Sequence, residues 1–179
     1  SDLAPDLYRR HEVAGASHVD QWEARSFANA LSITGDIILG NAVKNGALTF
    51  LGDLDLGGSN RTAQIDSAVT FSGVVSGSGA FTKAGTGSLT LSGNNTYTGA
   101  TTVNGGTLLI GTGGTTGSIS TSTSIVNNGT ITFNRTDTLT QGTDFANSIT
   151  GTGNLTQAGT GTMILGTNTY SGATRVNSG

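Results

Sequence analysis

The side chains best suited to acid–base or metal chemistry are the two histidines, His11 and His18. Glu12 and Asp20 lie close to them in the sequence, and imidazole with carboxylate is a combination that transfers protons or binds metals. All four belong to the N-terminal segment, where the polar surface of a terminal cap explains them better than a site does. We therefore predict neither a catalytic residue nor a metal ligand among them.

A second candidate is the pair Asp53 and Asp55, which alternation places on one side of a strand. A calcium loop would need further oxygen ligands and a late Glu, and residues 58–60 supply no acid. The Gly-rich stretches lack the Lys-Ser/Thr of a phosphate loop, and no Gly-x-Ser-x-Gly nucleophile motif occurs. We predict solvated carboxylates here, no cofactor and no enzymatic activity.

Two tyrosines, Tyr97 and Tyr170, occur in nearly identical local sequences. An exposed ring in such a place could stack on a sugar. Because the same ring recurs within a repeat, packing over a corner of the fold is the first interpretation.

The elements that carry these residues follow from an unusual composition. Among 179 residues there are 29 Gly and one Pro, hydrophobic residues make up 34%, and charged residues make up 11%. Thr, Ser and Asn supply the polarity, and Thr favours strands. Eight Lys and Arg against eleven Asp and Glu create no basic field, so we expect neither nucleic-acid binding nor membrane insertion. This composition favours a narrow β structure with an apolar inner face.

Residues 1–32 are predicted to form an N-terminal arm or cap. Ser17 and Asp20 have the spacing of a helix-start capping pair, and Phe27 and Leu31 follow at helical spacing. We expect a short helical or irregular segment, which either covers its own solenoid or reaches into a neighbouring copy.

A four-residue pattern with apolar second and fourth positions recurs through the rest of the chain, and such alternation is typical of a strand with one buried face. Successive copies start about 20 residues apart, which is typical of a solenoid with strands in each turn. The copies are Ala47–Phe50, Ala68–Phe71, Ser88–Leu91, Thr107–Ile110, Thr130–Phe133 and Thr162–Leu165.

A longer repeat of about 74 residues overlies the short one. Gly77–Leu91 reappears as Gly151–Leu165, and Asn95–Asn104 reappears as Asn168–Asn177. At the same offset Phe71 matches Phe145, which predicts a weakened strand at 143–145. We therefore assign residues 33–179 to a β-solenoid with two copies of the repeat. The copies span about 45–126 and 127–179, the second of them incomplete.

The pattern G-x-G-x-[LF]-T-x-x-G-x-G-x-[LM]-x-L, followed by N-T-Y-[TS]-G-A-T-x-V, resembles the autotransporter-associated β-strand repeat. That family occurs in the passenger regions of secreted and surface proteins of bacteria with outer membranes. The resemblance covers about residues 45–179 and implies an all-β, right-handed parallel β-helix outside the cell or on its outer-membrane surface. It implies little about activity, because the repeat is a scaffold shared by passengers of different function.

The predicted core follows from the alternation, with one column of inward side chains on each side of a strand. Each such side chain is buried only when a neighbouring turn covers it. The predicted core residues are Leu48, Phe50, Val69, Phe71, Leu89, Leu91, Leu108, Ile110, Ile131, Phe133, Met163 and Leu165.

These observations predict a non-enzymatic structural β-solenoid that associates with itself, end to end or through its N-terminal arm, into an extracellular fibre or stalk. Open ends of a solenoid are rows of unpaired strand groups, which favours such contacts. One alternative is an adhesin that binds host or matrix glycans through exposed loops such as Gly111–Ser118. A less favoured alternative is a polysaccharide-degrading β-helix enzyme, which would need clustered carboxylates or bases, and residues 64–179 carry three of each.

Overall fold

A computed structural model describes residues 30–40, 46–121, 124–146 and 148–177. These residues contain no helix, and the strand pairs are parallel, so the predicted all-β solenoid is confirmed. The predicted helix around Ser17 falls outside the described residues. The strands, in chain order, are β1 Leu31–Ser32, β2 Ile37–Leu39, β3 Leu48–Phe50, β4 Leu54–Asp55, β5 Arg61–Ile65, β6 Val69–Phe71, β7 Val75–Ser76, β8 Phe81–Ala84, β9 Ser88–Leu91, β10 Thr101–Val103, β11 Thr107–Gly114, β12 Ile125–Asn127, β13 Thr130–Arg135, β14 Leu139–Thr140, β15 Ile149–Thr150, β16 Asn154–Gln157, β17 Met163–Ile164 and β18 Thr174–Val176.

The strands form three faces around about seven turns. The first face holds β1, β4 and β7, the second holds β2, β5, β8, β10, β12 and β15, and the third holds β3, β6, β9, β11, β13, β16 and β18. In the later turns β14 and β17 pair with each other and follow a third-face strand in the chain, which is the position of the first face. Leu31 and Ser32 pair with β4, so the solenoid begins two residues before the boundary assigned from sequence.

Inward side chains on the third face stack in two columns, because a parallel register keeps equivalent positions in line. The first column contains Leu48, Val69, Leu89, Leu108, Ile131 and Leu155, and the second contains Phe50, Phe71, Leu91, Ile110, Phe133 and Gln157. Neighbouring strands of a sheet lie about 4.8 Å apart, so each side chain touches the turns before and after it.

The structure places the twelve predicted core residues in two groups. Those in the middle turns are buried: Val69, Phe71, Leu89, Leu91, Leu108, Ile110, Ile131 and Phe133. Four others are partly buried and pack against the core: Leu48, Phe50, Met163 and Leu165. These four lie in the first and last described turns, where the described residues cover them from one side only.

The predicted weakened strand at 143–145 is wrong. The third-face strand after β13 is β16, not this segment. Residues 142–145 form a corner, in which the N–H of Gly142 donates to the carbonyl of Phe145 at 2.8 Å. The Phe145 ring is still buried, with its centroid 4.9 Å from that of Phe133.

The physical reason is that the long repeat does not contain a whole number of turns. Phe81 lies on the second face in β8, whereas its counterpart Leu155 lies on the third face in β16. Three third-face steps separate β9, which follows β8 in the same turn, from β16. One repeat therefore advances three turns plus one face, so the same sequence packs on the next side of the solenoid in the second copy.

Glycine at two equivalent corners shows that the local backbone nevertheless repeats. Gly77 and Gly151 both have positive φ, at 112° and 101°, a region that side chains rarely allow. A Cβ on Gly151 would lie 2.3 Å from the carbonyl oxygen of Asn127 in the preceding turn. The corner conformation therefore belongs to the repeat and not to one face.

Candidate functional site

The acidic pair Asp53 and Asp55 binds backbone and holds corners together. Asp55 Oδ1 accepts a hydrogen bond of 2.8 Å from the N–H of Gly57, and Asp53 Oδ1 accepts one of 2.8 Å from the N–H of Val74 in the next turn. In the described part of the chain no group of three or more His, Cys, Asp or Glu side chains is placed to hold a metal. None of its segments is a helix long and apolar enough to cross a membrane. His11 and His18 lie outside the described residues.

Inside the solenoid the most deeply buried charged group is Lys83, which is fully buried. Its Nζ donates to the carbonyl oxygens of Gly105, Gly85 and Ala84 at 2.9, 3.1 and 3.3 Å. Burial lowers the pKa of Lys83 to about 8, and the carboxylate of Asp66 partly offsets this effect. Because Gly105 belongs to the following turn, the ammonium group links two turns.

Two further inward polar side chains bind the backbone at corners. Asn127 Nδ2 donates to the carbonyl of Asn154 in the following turn at 2.8 Å. Gln157, the counterpart of Lys83 in the second repeat, donates through Nε2 to Gly161 and Gly159 at 2.8 and 3.1 Å. Its Oε1 is buried and accepts no hydrogen bond. Gln157 therefore lacks the contact with a following turn that Lys83 and Asn127 make.

The two equivalent tyrosines differ in burial. Tyr97 is 2% exposed, its hydroxyl forms a 2.6 Å hydrogen bond with Thr101 Oγ1, and its ring packs edge-on against Phe81. Burial also raises the pKa of Tyr97. Tyr170 makes the same bond with Thr174 but is only partly buried. The Tyr97 ring packs within the chain's own core and is closed to a sugar.

The Gly111–Ser118 loop extends from the end of β11, and its residues 112–116 are exposed. Arg135 holds this loop through hydrogen bonds to the carbonyls of Thr115 and Gly117. Arg135 also pairs with Asp137 at 2.6 Å, and its hydrogen bond lowers the pKa of that carboxyl. The loop is thus an exposed feature with a fixed base.

The last described turn leaves an apolar groove of about 230 Å³ at the C-terminal end of the solenoid, which we call the end groove. Val176 in this groove is 71% exposed, whereas its counterpart in the first repeat, Val103, is fully buried. Sequence reasoning singled out neither Val176 nor Gln157 as a site residue, although the match of Lys83 with Gln157 in the repeat was a usable signal. The groove is lined by Leu155, Gln157, Gly161, Thr162, Met163, Leu165, Thr174 and Val176.

Comparison with known families agrees with this architecture. A family described as passenger-associated-transport-repeat matches residues 81–110 and 155–179, which lie in equivalent parts of the two copies of the long repeat. No curated protein and no solved structure matches the chain. The repeat resemblance inferred from sequence is confirmed: the chain carries two passenger-associated transport repeats on a parallel β-solenoid, and it fits the β-helix repeat of an autotransporter passenger.

Proposed function

We propose that this chain is a non-enzymatic structural segment of a secreted or surface-displayed passenger, and that copies of it associate end to end into an extracellular fibre or stalk. The observation that carries the proposal is the exposed core at the end groove. Val176 is 71% exposed where its buried counterpart Val103 shows what the same position looks like under another turn. Exposed apolar surface next to unpaired strand edges favours association.

A scaffold role is also supported by where the polar groups of the interior are used. Lys83 and Asn127 bind main-chain carbonyls of adjacent turns, and Asp53 caps the N–H of Val74 in the turn after it. These bonds hold turns in register, which is what a rod needs in order to transmit its shape along its length.

The association is tested by electron microscopy and light scattering over a series of protein concentrations. We expect rods whose length grows with concentration while their width stays constant, because contacts at the ends add length only. Strictly monomeric rods at every concentration would rule out the fibre.

A second candidate function is glycan adhesion through the Gly111–Ser118 loop. It is favoured by the exposure of residues 112–116 together with the fixed base that Arg135 provides. A glycan array probed with the chain and with a variant whose loop is replaced by a two-residue turn tests this. Binding that disappears with the loop supports adhesion, and equal signals from both proteins contradict it.

A further inference from the structure

We propose that the end groove receives the first turn of a second copy, formed by β1, β2 and β3, so that β18 of one copy pairs in parallel with β3 of the next. In this contact Gln157 Oε1 accepts a main-chain N–H of the incoming turn. The inference rests on the proposed end-to-end association, and it adds which ends meet, in which direction and in which register.

The long repeat shows what covers a surface of this kind. In the first copy Leu89 and Leu91 lie beneath Leu108 and Ile110 of the next turn, and Val103 lies beneath Asn127. The counterparts of the covered residues, Met163, Leu165 and Val176, line the end groove. The surface that fits the groove is therefore a further parallel solenoid turn, shifted by one face.

Gln157 supplies an independent observation. Its Oε1 is buried with no hydrogen-bond partner, and Gln157 is only 7% exposed. Lys83 and Asn127, the comparable inward polar residues, each bond to the turn that follows them. A buried acceptor without a donor is costly, and an incoming strand brings main-chain N–H groups to this place.

The first turn offers a matching edge. Among the described strands, β1, β2 and β3 each pair on one side only, with β4, β5 and β6. Their inward side chains, such as Leu48 and Phe50, are partly buried, as those of the last turn are. The charges are also of opposite sign, since Asp36 is the charged residue described between positions 30 and 52 and Arg175 is the one described between 158 and 177.

The direction of the strands decides the symmetry of the contact. Because the solenoid is parallel throughout, pairing β18 with β3 joins two different ends. A contact between different ends does not close and continues into a filament. A contact between two identical C-terminal ends would be closed by a two-fold axis and would stop at a dimer.

The register predicts which residues become neighbours. Thr156 lies beside Arg175 in the last pair, and Thr49 lies beside Thr70 in the first. Continuing this register places Arg175 of one copy beside Thr49 of the next, at the Cα separation that a disulfide allows. The chain contains no Cys, so introduced pairs are unambiguous.

The test compares oxidative cross-linking of Thr49→Cys/Arg175→Cys with that of Thr70→Cys/Thr102→Cys, whose cysteines lie on two faces of middle turns. We expect a ladder of disulfide-linked oligomers from the first protein and none from the second. Mixing the single variants Thr49→Cys and Arg175→Cys should give one mixed dimer and no longer species. Circular dichroism of each variant checks that it is folded.

Disulfide dimers from Arg175→Cys alone, formed more readily than mixed dimers, would overturn the inference and leave end-to-end association standing. Growing rods without any Arg175–Thr49 cross-link would overturn it in the same way. If the unmodified protein forms no assemblies and the cysteine pair forms no ladder, both the inference and the proposed association fail.

Discussion

At the scale of single residues, the inward polar side chains decide how the turns are joined. Lys83, Asn127 and Gln157 replace apolar residues in columns that are otherwise filled by aliphatic and aromatic groups. Each satisfies carbonyl groups at a corner, where the chain cannot form ladder hydrogen bonds. Buried polar groups with complete partners stabilise one particular register.

Lys83 makes the stability of the solenoid depend on pH. Its pKa is about 8 when folded and 10.5 when exposed, so between these values the unfolded chain binds more protons. The free energy of unfolding should therefore rise from pH 8 to 10.5, by up to about 3 kcal/mol. Urea unfolding of the protein and of Lys83→Gln, which copies the second repeat, measures this. The difference between the two proteins isolates Lys83 from other titrating groups, and a difference that is constant with pH would contradict the prediction.

Gly85 should be intolerant of a side chain. Its φ is 80°, and a Cβ would lie 2.3 Å from the carbonyl oxygen of Ile65. We expect Gly85→Ala to lower the free energy of unfolding by about 1 to 3 kcal/mol. Gly35→Ala is the matched control, because a Cβ there meets nothing within 4 Å. Equal unfolding midpoints for the two variants would show that the corner relaxes.

At the scale of elements, the strands are short and the corners between them carry specific contacts. The strands run from two to eight residues, and isolated pairs of this size are not stable in water. Each strand is held by the turns on both sides of it, as the columns on the third face show. The corner that connects the first and second faces is additionally closed by Tyr97 and Thr101.

The tyrosine corner provides a comparison within one molecule. Tyr97→Phe removes the hydroxyl that bonds to the buried Thr101 Oγ1, so we expect a loss of about 1 to 2 kcal/mol in the free energy of unfolding. Tyr170→Phe removes the same bond at an exposed position, where water replaces it, and should change stability by less than half as much. Chemical denaturation of both variants measures this, and equal losses would contradict the role of burial.

At the scale of the whole molecule, the two ends differ from the middle because the core has no cover on one side. A solenoid gains stability from each interface between turns, so an uncovered end turn holds fewer contacts than a middle turn. The end groove and the free edge of the first turn are complementary consequences of one repeating architecture.

Val176→Asp should act as a chain terminator for assembly. The side chain is 71% exposed, so the monomer should keep its thermal midpoint, while a charge in the end groove should block an incoming turn. Because the first turn of the variant is intact, it can still join the groove of an unmodified copy. We expect a small fraction of Val176→Asp mixed into the unmodified protein to shorten the rods seen by electron microscopy. Thr112→Asp, on the exposed loop, is the control, and equal rod lengths with both variants would contradict the prediction.

The sequence by itself determined the fold class and the repeat. Alternation over four residues predicts a strand, and its recurrence about every 20 residues predicts parallel turns, because residues such as Leu89 and Leu108 can be buried only by each other. The resemblance to the passenger repeat likewise depended on local motifs, which a sequence displays directly.

Only the tertiary structure decided on which face each copy of the repeat lies. Sequence similarity between Phe81 and Leu155 describes the same local environment, and it contains no information on the rotation that accumulates over turns of 19 to 24 residues. This is why residues 143–145 were mistaken for a third-face strand. The unpaired Oε1 of Gln157 and the exposure of Val176 were also invisible in the sequence, because both depend on which turn lies above them and not on the residues themselves.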